Sequence, residues 1–319
     1  MATFKIDVHH HIVPPEFRKG GENPTLVGQG LRLPPWSPEK SLDFMDRHNI
    51  SVSILSMGAP ATSISSDSRE VAAFCRRMNE YAADLCQQYP GRFGFFATLP
   101  SPEDSETCIQ EIRYALEGLK AEGVSLLTSY GGKYLGHQDF RSVWDELDRL
   151  AAVVAIHPGF ETASEAIQEP VPLAKPIFDW THETTRTAAH LITTNTMKTH
   201  PACKVILPHG GGTLPYVANR IAQLGAAFGA TEKTADEFLE EARHFYYDTA
   251  LAGYDEPLRL SLDFAAPGHV LFGTDYPFCR EDIIAKQISK VDTILEGRKD
   301  AEMVAYAAAT QLWPKFKLD

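Results

Sequence analysis

Short apolar runs recur along the chain and alternate with stretches of helical periodicity. Eight runs are nearly continuous in hydrophobicity: FKIDV (4–8), VSILS (52–56), FGFFAT (93–98), GVSLL (123–127), VVAIH (153–157), KVILP (204–208), FYYDT (245–249) and HVLFG (269–273). Continuous runs are typical of parallel strands that are covered on both faces. Helical patterns lie between them, at 68–89, 105–121, 139–151, 184–200, 214–229, 281–295 and 300–312. Ser105 and Asp139 are the expected N-caps.

Strands that alternate with helices predict right-handed βαβ units. Eight such strands in 319 residues predict an α/β fold of the (β/α)8 TIM-barrel type, with residues 1–319 forming a single domain. The alternative is an open, doubly wound sheet. It is disfavoured because neither GxGxxG nor GxxxxGK(S/T) follows the early strands.

Two predicted connections are too long to be simple turns. Residues 18–38 are rich in glycine and proline, and residues 158–182 lack a clear helical period. Both follow strands at the C-terminal face of the predicted barrel, where barrel enzymes bind their substrates. We expect these loops to lie over the active-site face and to form the walls of a pocket.

Composition and charge exclude some classes of partner. The chain has 30 Lys and Arg against 42 Asp and Glu, a net charge of −12, which disfavours nucleic acid. The five scattered cysteines lack CxxC spacing, as expected for free thiols in a reducing cytoplasm. No secretory signal is evident, and no apolar run reaches the roughly 18 residues needed to cross a membrane. We therefore expect a cytoplasmic protein with a small-molecule partner.

Three consecutive histidines follow the first strand, in IDVHHHI. Residues i and i+2 of an extended segment point to the same side. His9 and His11 can therefore converge on one ion, whereas His10 points away and is expected to pack or hydrogen-bond behind the site.

Further metal-binding residue types end other strands. His157 ends the fifth, His209 follows the sixth, and Asp275 follows the eighth. Each motif alone is ordinary, since HPG is often a turn and GTD often a helix cap. Together they lie on one face of the barrel and predict a divalent-metal site, for Zn²⁺ or for Mn²⁺ as the alternative. Such a ligand set leaves positions open for water or substrate.

The order DxHxH, HPG, HGGG and GTDYPF resembles the amidohydrolase superfamily. The stretches ETTRTAAHLI (183–192) and ILPHGGGTLPYVANRIA (206–222) extend the resemblance over nearly the whole chain. The pattern is most similar to the branch of aminocarboxymuconate-semialdehyde decarboxylase and the nonoxidative aromatic-acid decarboxylases, within it the 6-methylsalicylate type. The resemblance implies an amidohydrolase-type barrel with one bound divalent metal ion.

The resemblance also implies roles for individual residues. His9, His11, His157 and Asp275 match metal ligands, and His209 matches a catalytic histidine. A further match is Arg220, at the position of an arginine that reaches a substrate carboxylate across a dimer interface. The resemblance thus implies a homodimer.

The sequence departs from the relatives at several positions. Gly212 stands where resorcylate-type relatives carry glutamate, and His9 stands where they often carry glutamate. The arginine that binds substrate near the first helix of the semialdehyde decarboxylase has no match, since Lys40 and Arg47 are out of register. These departures favour a substrate with one carboxylate.

The expected reaction is metal-dependent loss of CO2 from an ortho-hydroxy aromatic acid, 6-methylsalicylate or a similar salicylate. We expect Asp275 to protonate the ring carbon that bears the carboxylate, and His209 to stabilise developing charge. Phe178, Trp180 and Phe278 are expected to bind the ring, and Arg220 is the fourth residue expected to bind substrate.

Two alternatives remain open at this point. The same ligands could activate a water molecule in a hydrolase or hydratase that acts on a cyclic or unsaturated carboxylic acid. A metal-binding protein without catalysis is the other. Release of CO2 from a salicylate would separate the first hypothesis from both.

Overall fold

A parallel, eight-stranded sheet forms the centre of the molecule. The computed structural model describes residues 4–20, 33–58, 65–160, 167–171 and 173–317. The sheet strands follow one another in chain order: β1 (Lys5–His11), β2 (Ile50–Ser56), β3 (Phe93–Thr98), β4 (Gly123–Leu127), β5 (Val153–His157), β6 (Lys204–Leu207), β7 (Tyr246–Asp248) and β8 (Val270–Leu271). Each predicted strand has its counterpart here. A small antiparallel pair, Ser129–Tyr130 with Lys133–Tyr134, follows β4.

The sheet closes on itself because residues beyond β8 bind the first strand. The backbone N–H of Val8 donates to the carbonyl of Phe272, and the N–H of Asp275 donates to the carbonyl of His9, both at 2.9 Å. His10 and Tyr276 form a parallel bridge. Eight parallel strands closed in this way confirm the predicted (β/α)8 barrel.

Helices surround the barrel. They are Pro15–Gly20, Pro38–Arg47, Ser68–Gln88, Ser105–Arg113, Arg141–Arg149, Asp179–Thr193, Thr196–Thr199, Leu214–Ala227, Ala235–Arg243, Asp255–Phe264, Glu281–Leu295 and Ala308–Leu312. Single π-helical turns, Tyr114–Gly118 and Met303–Ala307, adjoin two of them. Each predicted helix has a counterpart, but the prediction of a continuous helix over 184–200 was wrong. That helix begins at Asp179 and ends at Thr193.

Both predicted N-caps were wrong by a short distance. The side chain of Asp104, one residue before Ser105, accepts the N–H of Thr107 at 3.2 Å. The ring of His137 accepts the N–H of Asp139 at 3.2 Å and begins a 3₁₀ turn. A cap needs an acceptor whose own backbone is still outside the helix, and periodicity alone does not locate that residue.

The C-terminal segment closes the N-terminal end of the barrel. Interior side chains of the strands, among them Val8, Ile54 and Phe96, form a buried cluster with Trp313 and Phe316. The indole N–H of Trp313 also donates to the carbonyl of Glu122, just before β4, at 2.7 Å. This leaves the opposite, C-terminal end for a site.

The two long connections contribute to that opposite end where the structure describes them. Within 18–38, residues 21–32 lie outside the described part, and within 158–182, residues 161–166 and 172 do. Of the remainder, Leu33 from the first connection and Phe160, Ile177 and Trp180 from the second line one cavity.

Candidate active site

His9 and His11 lie at the C-terminal end of β1 and face the same space. Their Nε2 atoms are 3.0 Å apart. His10 points to the other side, where it is fully buried and bonds to Asp7 and Ser41. The alternation expected for this strand is therefore confirmed for all three histidines.

The other predicted residues converge on the same point. One oxygen of Asp275 lies 3.1 Å from Nε2 of His11 and 3.5 Å from Nε2 of His9. Ligand atoms of His9, His157, His209 and Asp275 all lie within 4.8 Å of one another. Residues from the ends of β1, β5, β6 and β8 thus form one buried cluster at the C-terminal face.

A hydrogen bond to the second ring nitrogen, Nδ1, distinguishes three of the histidines from the fourth. Nδ1 of His9 lies 2.8 Å from Asp248, that of His11 lies 2.9 Å from Ser56 Oγ, and that of His157 lies 2.8 Å from the carbonyl of Pro158. A histidine that binds metal through Nε2 usually has its Nδ1 held by an oxygen in this way. Sequence reasoning missed Ser56.

His209 differs from these three rings. Its Nδ1 is buried and has no hydrogen-bond partner in the described part of the chain. Its backbone has a φ of 56°, and Asp275 has a φ of 64°. Non-glycine residues in this left-handed region are uncommon and concentrate at functional sites, where the surrounding structure holds them.

Electrostatics favour one positive charge at the centre of the cluster. Burial lowers the pKa of His9, but the carboxylates of Asp248 and Asp275 outweigh it and raise the value to about 10. Burial, reinforced by the neighbouring histidines, lowers the pKa of His157. Burial and the charge of His9 lower that of His209 to about 4. For Asp275, burial acts to raise the pKa, but His11 and His9 hold it well below the usual range.

This donor set fits a divalent cation. Two nitrogens that bind one ion at about 2.1 Å lie roughly 3.0–3.4 Å apart. The separations among His9 Nε2, His11 Nε2 and Asp275 Oδ1, from 3.0 to 3.5 Å, are close to that range. The buried carboxylates supply the negative charge that such an ion needs.

A cavity of about 340 Å³ opens above the cluster. His11, His157, His209 and Asp275 form its polar end. The rest of its described lining is apolar apart from Cys279: Leu33, Gly58, Phe160, Pro176, Ile177, Trp180, Leu251 and Phe278. Its size suits a small molecule with one aromatic ring.

Two of the four residues predicted to bind substrate line this cavity. Trp180 packs its ring edge-on to His157 at 5.4 Å, and Phe278 packs edge-on to His11 at 5.2 Å. Phe178 is absent from the described lining; it is 45% exposed and its ring contacts His182. Phe160, which the sequence reasoning missed, lies against Trp180 at 5.3 Å. Its position three residues after His157 was the available signal.

Arg220 is likewise absent from the described lining of the cavity. It lies exposed on the outer face of the helix Leu214–Ala227.

The glycines after His209 let the turn pack closely against its neighbours. A Cβ at Gly211 would collide with the ring of Tyr247, and one at Gly212 with the carbonyl of Thr181. Both glycines also have positive φ. They allow the turn to pack against β7 and the helix Asp179–Thr193, so a glutamate at position 212 would not fit here.

The fold and the site together define a class, the (β/α)8 barrels with a histidine–aspartate metal cluster at the C-terminal face. The family profile described as amidohydrolase matches residues 6–315, and the chain belongs to the amidohydrolase family.

Three similar proteins are informative. The chain is 44% identical to the decarboxylase macB of Penicillium terrestre, over 99% of this chain and 96% of that protein. It is 39% identical to a 6-methylsalicylic acid decarboxylase of Penicillium expansum, over 98% and 97%. A dihydroxybenzoic acid decarboxylase from a Polaromonas strain, solved with bound manganese and an inhibitor, is 22% identical with a TM-score of 0.80, over 99% and 98%. The last likeness supports the fold alone.

Among the described residues, no helix is both long and apolar enough to cross a membrane.

Proposed function

We propose that this protein catalyses metal-dependent, nonoxidative decarboxylation of an ortho-hydroxy aromatic acid, 6-methylsalicylate or a similar salicylate. The observation that carries the proposal is a histidine–aspartate cluster at one end of a cavity that is otherwise mostly apolar. The similarity to decarboxylases over nearly the full chain supports the same reaction class.

The cavity suits a substrate with a single negative group. Its described lining contains no lysine and no arginine, so within one chain a second carboxylate would find no cation there. The cluster would take the carboxylate and the neighbouring hydroxyl. Phe160, Trp180 and Phe278 would contact the ring and exclude water.

The residues assigned to hold the metal ion are His9, His11, His157 and Asp275. Each of these three histidines has its Nδ1 bound to an oxygen, which leaves Nε2 free to bind the ion. When bound, the ion supplies Lewis acidity and fixes the orientation of the substrate oxygens. Zn²⁺ is the first expectation for a site rich in imidazole, and Mn²⁺ is the alternative.

Asp275 would carry the proton to the ring. Because its pKa lies below the usual range, it is a carboxylate before substrate binds. It would accept the proton of the substrate's ortho-hydroxyl group and then deliver it to the ring carbon that bears the carboxylate. The C–C bond breaks, its electron pair restores the aromatic ring, and CO2 leaves.

His209 would stabilise the charge that develops on the substrate. A pKa of about 4 makes its ring neutral near pH 7, so it has one N–H to donate. Its Nδ1 is not engaged elsewhere in the described part of the chain, so the ring can bond to a carboxylate or phenolic oxygen.

The test begins with metal-free protein. Chelation followed by readdition of Zn²⁺ or Mn²⁺ should abolish and then restore CO2 release from 6-methylsalicylate. Equal rates before and after verified metal removal would contradict a metal-dependent reaction. Turnover of lactones or amides without CO2 release would instead favour the hydrolase alternative.

A homodimer is the proposed assembly. Tyr216, Arg220, Leu224 and Phe228 are spaced four residues apart on the helix Leu214–Ala227 and at its end, and so share one face. Tyr216 is 80% exposed and Phe228 is 81% exposed. Large apolar side chains in such a stripe are typical of a protein interface. In the proposed dimer, Arg220 is the residue assigned to reach the neighbour's cavity.

The single-domain organisation over 1–319 and the cytoplasmic location stay predictions. The five cysteines are unpaired in the structure, which agrees with a reducing compartment.

A further inference from the structure

A buried group behind the metal cluster has the spacing of a hydrolase triad. Ser41 Oγ lies 3.0 Å from Nε2 of His10, and Nδ1 of His10 lies 3.0 Å from Asp7 Oδ2. Serine, histidine and aspartate in this order form the nucleophilic triad of many hydrolases.

These residues are not a second catalytic centre. All three have no exposed surface, and none lines the cavity above the metal cluster. Ser41 Oγ also accepts the indole N–H of Trp36 at 2.8 Å. A nucleophile needs access to its substrate, which this oxygen lacks.

The direction of the hydrogen bonds follows from the Asp7 carboxylate, which can only accept. Nδ1 of His10 therefore carries the proton and donates to Asp7, so Nε2 accepts the Ser41 hydroxyl. The Ser41 oxygen accepts the indole N–H of Trp36, which can only donate. The series therefore runs one way, from Trp36 to the Asp7 carboxylate.

Asp7 joins this series to the opposite side of the barrel closure. Its Oδ2 accepts the hydroxyl of Thr274 at 2.6 Å, and its Oδ1 accepts the backbone N–H groups of Thr274 and His9, each at 3.1 Å. Together with the Nδ1–H of His10, these groups make four hydrogen-bond donors to the single carboxylate of Asp7. One carboxylate thereby holds both the strand that carries His9 and His11 and the residue that precedes Asp275.

Asp275 depends on that support. Its positive φ is unfavourable for a residue with a side chain, and its oxygen must lie close to both His9 and His11. Thr274, bonded twice to Asp7, is the last fixed residue before it.

We infer that Asp7, His10 and Thr274 are positioning residues, which hold Asp275 at the metal cluster through the buried hydrogen bonds behind it. The inference concerns metal binding directly, and it rests on the proposed function only for its effect on turnover. Ser41 and Trp36 complete the series, and the Asp7 carboxylate sets the tautomer of His10.

The test compares one substitution at two equally buried threonines. Thr274→Val removes the hydroxyl bonded to Asp7, and Thr274→Ser keeps it. Thr187→Val is the matched control, because Thr187 is also fully buried and its hydroxyl donates to the Thr128 carbonyl at 2.7 Å rather than to Asp7. Metal affinity is measured by competition with a chromogenic chelator, kcat and KM by CO2 release from 6-methylsalicylate, and stability by thermal unfolding.

Thr274→Val should weaken metal binding about tenfold or more and lower kcat, with KM little changed. Thr274→Ser should restore both. Thr187→Val should lower the unfolding temperature without changing metal affinity. Metal affinity and kcat in Thr274→Val equal to those of Thr187→Val would overturn the inference.

Asp7→Asn gives an independent test, because asparagine has nearly the same side-chain shape as aspartate. Its amide nitrogen cannot accept hydrogen bonds from Thr274 and His10, so metal affinity should fall as it does in Thr274→Val. Unchanged affinity in a folded Asp7→Asn protein would also overturn the inference. Metal affinity is measured without turnover. A wild-type protein that releases no CO2 would therefore refute the proposed function, while the affinities of the variants would still test this inference.

Discussion

Nδ1 of His9 lies 2.8 Å from one oxygen of Asp248, whose other oxygen accepts the backbone N–H of His209 at 2.9 Å. One carboxylate at the end of β7 therefore fixes the ring of a metal-site histidine and the backbone of the catalytic candidate. The bond to Nδ1 sets the tautomer of His9 and leaves its Nε2 free to bind a metal ion.

We predict that Asp248→Asn weakens metal binding by about 10- to 100-fold. An asparagine amide that donates to Nδ1 would move the proton of His9 to Nε2, the atom that faces the cluster. Titration of the metal-free variant against a chelator of known affinity measures the change.

Asp145→Asn is the matched control for this substitution. Asp145 lies 3.0 Å from Nε2 of the buried His200, in an aspartate–histidine pair outside the cluster. The control should bind metal as the wild type does. Equal affinity of Asp248→Asn and wild type would mean that Asp248 does not set the tautomer of His9.

The barrel was predictable because its signal is repeated and local. Each apolar run is buried on both sides, so each strand appears in the sequence without knowledge of its neighbours. Helix ends were less predictable, since the cap at Asp104 depends on which residue is the first whose backbone lies outside the helix. The helix that begins at Asp179 was placed late because its first turn carries Trp180 towards the cavity and breaks the surface pattern.

The metal cluster was predictable for a related reason. Strand alternation determines that His9 and His11 share a side, and parallel strands bring their ends to one face. The residues that hold the rings were harder to find. Asp248, Ser56 and Asp7 are ordinary polar residues in strands, and only the distances to the histidines reveal their roles. The lining of the cavity depends on loop conformation, which explains why Phe160 was missed and Phe178 was chosen.

The exposed stripe on the helix Leu214–Ala227 gives a prediction about assembly. Glutamate at Tyr216 or Phe228 would put charge into the proposed interface, so each variant should elute as a monomer at concentrations where the wild type is a dimer. Light scattering coupled to size-exclusion chromatography measures the mass. Ile283→Glu, at a position of another helix that is 36% exposed, should leave the mass unchanged.

The proposed role of Arg220 in the neighbour's cavity would connect this assembly to the reaction. If its side chain acts in the neighbour's cavity, Arg220→Ala should raise KM while the dimer persists. A wild-type protein that is monomeric at assay concentration and fully active would contradict this role.

Glu146 gives a prediction about pH. Hydrogen bonds from Arg113 and Arg149 lower its pKa from the ordinary 4.5 to about 2. A carboxyl group whose pKa is lower in the folded state stabilises the fold above its unfolded pKa, and loses that effect as the pH falls towards its folded value. The contribution is therefore complete near neutral pH and disappears between about 4.5 and 2.

Glu146→Gln should lower the free energy of unfolding by about 1–2 kcal/mol near pH 7, since both arginines are half exposed and partly screened. Urea unfolding should show the difference shrinking as the pH falls below about 4.5. Glu296→Gln, at an exposed position, is the control. A difference that stays constant over this range would exclude the ion pairs as its source.

Trp313 gives a prediction in which the free energy of unfolding falls while the metal site is retained. Its ring is 6% exposed within the cluster that closes the N-terminal end of the barrel, and its N–H bonds to the carbonyl of Glu122. Trp313→Ala should lower the free energy of unfolding by about 3–5 kcal/mol, because it leaves a large cavity and an unpaired carbonyl. Trp313→Phe keeps most of the volume and should cost clearly less.

The metal cluster lies at the opposite end of the barrel and shares no described contact with Trp313. Folded Trp313→Phe protein should therefore bind metal with wild-type affinity, as measured by chelator competition, although its unfolding midpoint in urea is lower. A parallel loss of metal affinity and stability would mean that closure of the N-terminal end sets the geometry of the ligands. The two ends of the barrel would then form one cooperative unit, and stability could not be changed independently of the site.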